Sequence, residues 1–177
     1  MRGLADAARL RQFLDRIARE ADAEAAIYLT GGATAVLLGW RASTVDADIL
    51  IVPELDSLYR AIPRLKEELR LNVEIVSPAH FIPELPGWRE RSLFIDRMGS
   101  VSFYHYDPYA QALAKIERGH GHDRDDVAQL LARGIVDRQQ LRRLFEAIEP
   151  LLYRYPALAP ERFRERLEAA LRPTGSS

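Results

Sequence analysis

The sequence predicts an α+β protein, a small mixed β-sheet flanked by helices with a helical C-terminal part. Three observations carry that prediction. Short apolar runs alternate with helical periodicity as far as Tyr106, and helical periodicity alone follows Asp107. A chain of 177 residues, 47% apolar and 29% charged, is long enough to bury a full hydrophobic core. No internal repeat or low-complexity tract points to a solenoid or a disordered chain instead.

The elements follow in order. Residues 4–21 place Leu4, Ala8, Leu10, Phe13, Leu14 and Ile17 three or four apart among Arg and Asp, the spacing of an amphipathic helix. Ala25 to Leu29 is a short apolar strand that Thr30-Gly31-Gly32 ends. Ala33 to Leu38 reads as a short helix, closed by Gly39 in the left-handed conformation that helix ends favour. Residues 45–52, Val-Asp-Ala-Asp-Ile-Leu-Ile-Val, form a buried strand stopped by Pro53. Leu55, Leu58, Ile62, Leu65 and Leu69 then mark a helix up to Arg70. Pro63 within it predicts a kink or two short helices, because proline removes a backbone donor and crowds the preceding turn.

Leu71 to Val76 is a further strand ended by Ser77-Pro78, and residues 79–90, with Pro83, Pro86 and Gly87 beside Phe81 and Trp88, read as a loop pinned by aromatics. Val101 to Tyr106 alternates and is the last strand. Asp107 is an N-cap with Pro108 at the first helical position of a helix to about Arg118. After the turn Gly119-His120-Gly121-His122, helices are expected near 123–132, 138–148 and 159–171. The expected organisation is an α/β core over 1–106, a helical subdomain over 107–172 and a disordered tail over 173–177.

Composition excludes several classes of function. The chain has no cysteine, so disulfides, thiolate metal sites and a thiol nucleophile are ruled out. Basic and acidic residues number 25 and 26 and are mixed along the chain, so a nucleic-acid contact is local rather than global. Of the basic residues only Lys66 and Lys115 are lysines. Neither an apolar leader nor a run of ~18 apolar residues occurs, which predicts a cytoplasmic protein without a membrane partner.

Asp46 and Asp48 are the most informative residues. Two apart on a strand, they share one face, and two carboxylates on one face call for a compensating cation. Oxygen ligands on a rigid strand suit Mg²⁺ or Mn²⁺, which keep some waters and bind substrate phosphate as well. The alternative is a solvated strand end. Glu74, mid-strand between apolar residues, is either a third oxygen ligand or a solvent-facing side chain. Gly31-Gly32, between a strand and a helix, lets backbone N–H groups approach a phosphate, although tight turns use the same pair.

Leu29-Thr30-Gly31-Gly32-Ala33-Thr34, followed by Arg41-Ala42-Ser43-Thr44-Val45-Asp46-Ala47-Asp48-Ile49, resembles the signature of the nucleotidyltransferase superfamily related to DNA polymerase β. It is most similar to the bacterial DUF6036 group and the AbiEii-like toxins, over about residues 25 to 155. Asn72-Val73-Glu74, Ser77-Pro78-Ala79, Phe81-Ile82-Pro83 and Tyr109 to Lys115 share in the likeness. The resemblance implies a nucleotidyltransferase core. Asp46, Asp48 and Glu74 would be catalytic and hold Mg²⁺ or Mn²⁺, and Gly31, Gly32, Thr34, Arg41 and Lys115 would contact an NTP. It further implies transfer of an NMP to a hydroxyl on a tRNA 3′ end or a protein side chain, with a possible toxin role and antitoxin partner. A small-molecule acceptor of the antibiotic type and a catalytically silent nucleotide- or partner-binding module are the alternatives. Many superfamily members carry Gly-Ser in the turn, where this chain has Gly32; Thr30 and Thr34 are the hydroxyls at hand.

The remaining candidates have ordinary readings beside them. Lys115 is a triphosphate ligand or a lysine lying over its own helix. Asp123 either orients that lysine or, the favoured reading, caps the next helix. His120 and His122 lack an evident third zinc ligand, and His105 reads as a hydrogen-bonded core residue. The C-terminal arginines alternate with acids and suit a solvated helical face.

Overall fold

The structure, a computed structural model, describes residues 3–173. Helix α1 spans Ala7–Ala18, strand β1 Ala25–Thr30, α2 Gly32–Leu38, β2 Asp46–Val52, α3 Asp56–Leu69 and β3 Asn72–Ile75. Then come α4 (Trp88–Arg91), β4 (Leu93–Met98), β5 (Val101–His105), α5 (Pro108–Arg118), α6 (Gly121–Ala132), α7 (Arg138–Ile148) and α8 (Pro160–Leu171). Short 3-10 turns cover Pro78–His80 and Glu149–Arg154. These eight α-helices and five strands, counted among the described residues, make the fold α+β. The expected tail falls largely on 174–177, outside the described residues.

The chain divides into two units, one of residues 3–77 and 92–106, the other of 78–91 and 107–173. In the first, the sheet runs β3-β2-β1-β5-β4. β1 pairs antiparallel with β2 and parallel with β5, β2 parallel with β3, and β4 antiparallel with β5, so the sheet is mixed. Alternation sends Ala47, Ile49 and Ile51 of β2, with Ile27, Leu29, Val73 and Phe103, into one core with Phe13, Leu14 and Ile17 of α1 and Leu58, Ile62 and Leu65 of α3. The opposite sheet face carries Asp46, Asp48, Asn72, Glu74, Thr30, Tyr28 and Tyr104 by the same alternation and register. Tyr28 stacks on Tyr104 there at 5.2 Å between centroids.

Several expectations are corrected. The first helix begins only at Ala7, because Asp6 caps it by accepting a hydrogen bond from the Arg9 amide at 2.9 Å, which leaves Leu4 outside and exposed. Pro63 neither splits nor ends α3, which is continuous. The proline stands on the exposed side, while Leu58, Ile62, Leu65 and Leu69 anchor the other side in the core. Strand β4 was not expected. It is an edge strand with little burial on either face, so its side chains carry no alternation to read. Its trace is the turn at Gly99, at φ 60°, joining it to β5. Helix α6 starts at Gly121 instead of 123, so His122 is helical and His120 precedes the helix.

In the second unit α5 packs against α6, α7 and α8, and Phe145 meets Phe163 edge-on at 4.9 Å. Residues 78–91 belong to this unit, not to the α/β core. Ile82, Leu85 and Trp88 are buried while Phe81 is exposed, so aliphatic side chains share the pinning assigned to aromatics. Arg91 secures the segment: it donates through Nε at 3.1 Å and Nη2 at 2.6 Å to Asp107, the buried N-cap of α5, and through Nη1 to the Pro86 carbonyl at 2.7 Å. Burial pushes the Asp107 carboxyl up against the pull of this guanidinium. No helix among the described residues is long and apolar enough to cross a membrane.

His105 is buried, and its Nδ1 lies 3.1 Å from the Thr34 hydroxyl, which donates to the Leu29 carbonyl at 3.3 Å. The hydroxyl thus joins the imidazole to the carbonyl, and β5, α2 and β1 are tied together beneath the glycine turn. Burial first, and then Arg11, pushes the imidazole down to about 4 from 6.5. A histidine neutral in the fold but protonated when unfolded adds stability above pH 6.5 that drains away as pH falls to about 4. The shift is worth about 3 kcal/mol. Urea unfolding at pH 7.5 and 4.5 is expected to show a smaller acid-induced loss in His105→Gln than in the wild type; equal losses would exclude this linkage.

Candidate active site

The chain leaves β1 at Thr30 and enters α2 at Gly32, so the reversal rests on Gly31, at φ 64° and ψ −134°. Only glycine adopts this backbone without strain. A β-carbon there would also stand 3.0 Å from Asp48 Oδ2, so the bare backbone admits the carboxylate of β2 against the turn. Gly32 is bare for a different reason: its β-carbon would lie 2.1 Å from Thr44 Oγ1 and 3.1 Å from an Arg41 guanidinium nitrogen. A serine at 32 is sterically impossible in this arrangement. Neither threonine in the turn sequence occupies that place: it is Thr44, from the segment before β2.

On β2 the acidic pair shares the half-exposed face, with Ala47 fully buried between them on the other. The parallel register sets Glu74 beside Asp48 and Asn72 beside Asp46. The Asn72 amide donates to Asp46 Oδ1 and, at 3.2 Å, to Glu74 Oε1, so one neutral side chain bridges two carboxylates. The structure thus gathers Asp46, Asp48, Glu74, Gly31, Gly32 and Arg41 around one end of β2. Among the described residues no three His, Cys, Asp or Glu side chains form a ready metal cluster. Asn72 and Thr44 carry roles that sequence reasoning missed, because both depend on which strands and segments become neighbours.

Thr34 and Lys115 each have partners within their own unit. The Thr34 hydroxyl is buried between His105 and the Leu29 carbonyl and fixes the turn from below. Lys115 belongs to the helical unit and does not lie over a solvated surface: it is 8% exposed, with Nζ 2.6 Å from Asp126 Oδ2 and 3.7 Å from Asp123 Oδ1. It lines a mostly apolar cavity of about 410 Å³ between α5, α6 and α8. Asp123 accepts two hydrogen bonds from Arg118, at 2.7 and 2.6 Å, and one from the His120 amide at 3.3 Å; it is not the N-cap, which is His120, but the third residue of α6, closing a capping box from within the helix and pairing with Arg118 as well. Burial pushes its carboxyl up, but Arg118 and Lys115 together hold it below the ordinary range.

Compared with known families, the chain matches a model described as a nucleotidyltransferase of unknown function (DUF6036) over residues 7–169, and it belongs to that family. No curated protein and no solved structure matches it.

The buried pair of Lys115 and Asp126 has a direct consequence for stability. Removing Asp126 takes away the nearest partner of Lys115 and leaves it only Asp123, at 3.7 Å, a loss of up to about 3–5 kcal/mol, whereas replacing both members of the pair with apolar residues is closer to neutral. Urea unfolding should therefore show Asp126→Leu strongly destabilised and Lys115→Met/Asp126→Leu largely restored. Similar destabilisation of the single and double variants would mean that the two groups do not act as a pair.

Proposed function

We propose that this member of the DUF6036 family transfers a nucleoside monophosphate from an NTP to a hydroxyl, using Mg²⁺ or Mn²⁺ held by Asp46 and Asp48. The observation that carries the reading is the pair of carboxylates on one face of β2, beside a turn whose glycines admit Asp48 and Thr44. Hard oxygen donors from two carboxylates fit such a cation, whose remaining positions are normally filled by water and substrate phosphate, so a third protein ligand is not needed. Held there, such a cation would offset the charge of the triphosphate and favour the ionised acceptor.

The residues of the chain would do the rest. Asp46 and Asp48 fix the donor set, and Glu74, beside Asp48, takes the proton of the acceptor hydroxyl. The acceptor oxygen bonds to the α-phosphorus as the bond from that phosphorus to the bridging oxygen breaks, and pyrophosphate leaves. Arg41, close to the turn, supplies a cation for phosphate. Acceptors that suit this chemistry are a tRNA 3′ end, a protein side chain or a small molecule, and a toxin function would follow from the first two. A silent nucleotide-binding module is the second reading, favoured by the Asn72 amide that already engages Asp46 and Glu74.

Incubation with α-labelled NTPs and Mg²⁺, with total tRNA and with the protein alone, is expected to label one of the two. Asp46→Asn and Asp48→Asn should each lower transfer by roughly two orders of magnitude with little change in thermal midpoint. Label on neither acceptor removes the RNA and self-modification versions. Calorimetry showing NTP binding that does not depend on Mg²⁺ would favour the silent module.

A further inference from the structure

We infer that Thr44 is the positioning residue of Asp46, and that Gly32 is bare so that Thr44 can fill the space of its side chain. The need for such a residue follows from the sheet register. β1 pairs with β2 only as far as Thr30 opposite Asp48, so Asp46 extends beyond the end of β1 and has a ladder partner only in Asn72 of β3. Asp48 is held on both sides. Asp46 is held by the sheet on one.

Thr44 supplies the missing restraint. Its hydroxyl donates to the backbone carbonyl of Asp46 at 3.0 Å, and the threonine is buried. Its own backbone is tied to Ala5 by two hydrogen bonds: the Thr44 amide donates to Ala5 at 2.9 Å, and the Ala5 amide to Thr44 at 2.8 Å. Ala5 is fully buried and immediately precedes the cap of α1. On the remaining side, Thr44 Oγ1 and Cβ stand 2.1 and 2.8 Å from where a Gly32 β-carbon would be. The threonine is thus wedged between the N-terminal segment and the glycine turn, with its one hydroxyl proton directed at the first acidic residue. That hydrogen bond fixes the Asp46 peptide at the free end of β2, and with it the direction from which the Asp46 carboxylate approaches a cation shared with Asp48.

The inference rests on the transferase reading for its catalytic consequence and on packing alone for the interlock, so two measurements separate them. Thr44→Val keeps the volume and removes the hydrogen bond. It is expected to lower kcat about tenfold or more, the scale of a misplaced group, with KM for the NTP changed less than about threefold; Thr44→Ser should retain most of the wild-type kcat. Thermal unfolding of Gly32→Ala should show a large loss in the wild-type background and a much smaller one in Thr44→Gly, a coupling expected only between residues in contact. Wild-type kcat in Thr44→Val, or failure of Thr44→Ser to retain it, overturns the positioning role. Equal losses for Gly32→Ala in both backgrounds overturn the interlock. A wild-type protein that transfers no nucleotide sinks the transferase reading instead, and the unfolding cycle, with Thr44→Ala as a second background should Thr44→Gly not fold, then decides this inference alone.

Discussion

Two side chains of the segment 44–48 enter the space left by two adjacent glycines, and the α/β unit is organised around that close approach. Asp48 comes against Gly31 and Thr44 against Gly32. A β-carbon at 32 would overlap Thr44, one at 31 would press on the Asp48 carboxylate at 3.0 Å, and Gly31 in addition carries a positive φ. The turn therefore decides how β1 hands the chain to α2, and at the same time how near the acidic end of β2 lies to that handover. Beneath it, the His105–Thr34–Leu29 hydrogen bonds fix α2 to the sheet from the core side. The same few residues are thus clamped from above by carboxylate and hydroxyl and from below by imidazole.

Much of this was legible in the sequence because it is local. The alternation Asp46-Ala47-Asp48-Ile49 gives one acidic and one apolar face in any strand, and Asp107-Pro108 announces a helix start through cap chemistry that involves only neighbouring residues. What was not legible depends on partners distant in the chain. Asn72 looks like an ordinary strand residue until the parallel register sets it against Asp46. Thr44 reads as part of a turn until Gly32, twelve positions earlier, proves to be the space it fills. Strand β4 fails for another reason: lying at the sheet edge, it buries too little to print a pattern on its residues. Pro63 shows the converse, a strong local signal overruled because four apolar side chains hold the helix from the other side.

Thr34 and Lys115 were assigned to the nucleotide by resemblance, and each has a structural employment of its own. For Thr34 the hydroxyl has an imidazole and a carbonyl as partners in a buried place, where an unmet polar group would be costly. For Lys115 the carboxylate of Asp126 is the immediate partner, and Asp123 stands further off. Three donors on one ammonium leave room for an additional ligand in principle, but the charge that would attract an anion is already neutralised at close range. The cation that adjoins the glycine turn is Arg41, and its guanidinium has the planar geometry that suits phosphate oxygens.

The two units hold their carboxylates differently: those of the helical unit are buried, whereas on the sheet Asp46 and Asp48 are half-exposed and Glu74 is exposed. In the helical unit Asp107 is met by Arg91, Asp123 by Arg118 and Asp126 by Lys115, so each negative charge is balanced within the fold. On the sheet the group joining Asp46 to Glu74 is the amide of Asn72, which satisfies hydrogen bonds and contributes no charge. An amide can hold two carboxylates in place without cancelling the potential between them. An arginine or lysine at position 72 would do both, and would compete with any cation brought by a substrate. The near-neutral total of the chain therefore conceals an uneven distribution: the positive charge that the acidic face of β2 would use is not built in at Asn72, and on the transferase reading it arrives with the nucleotide.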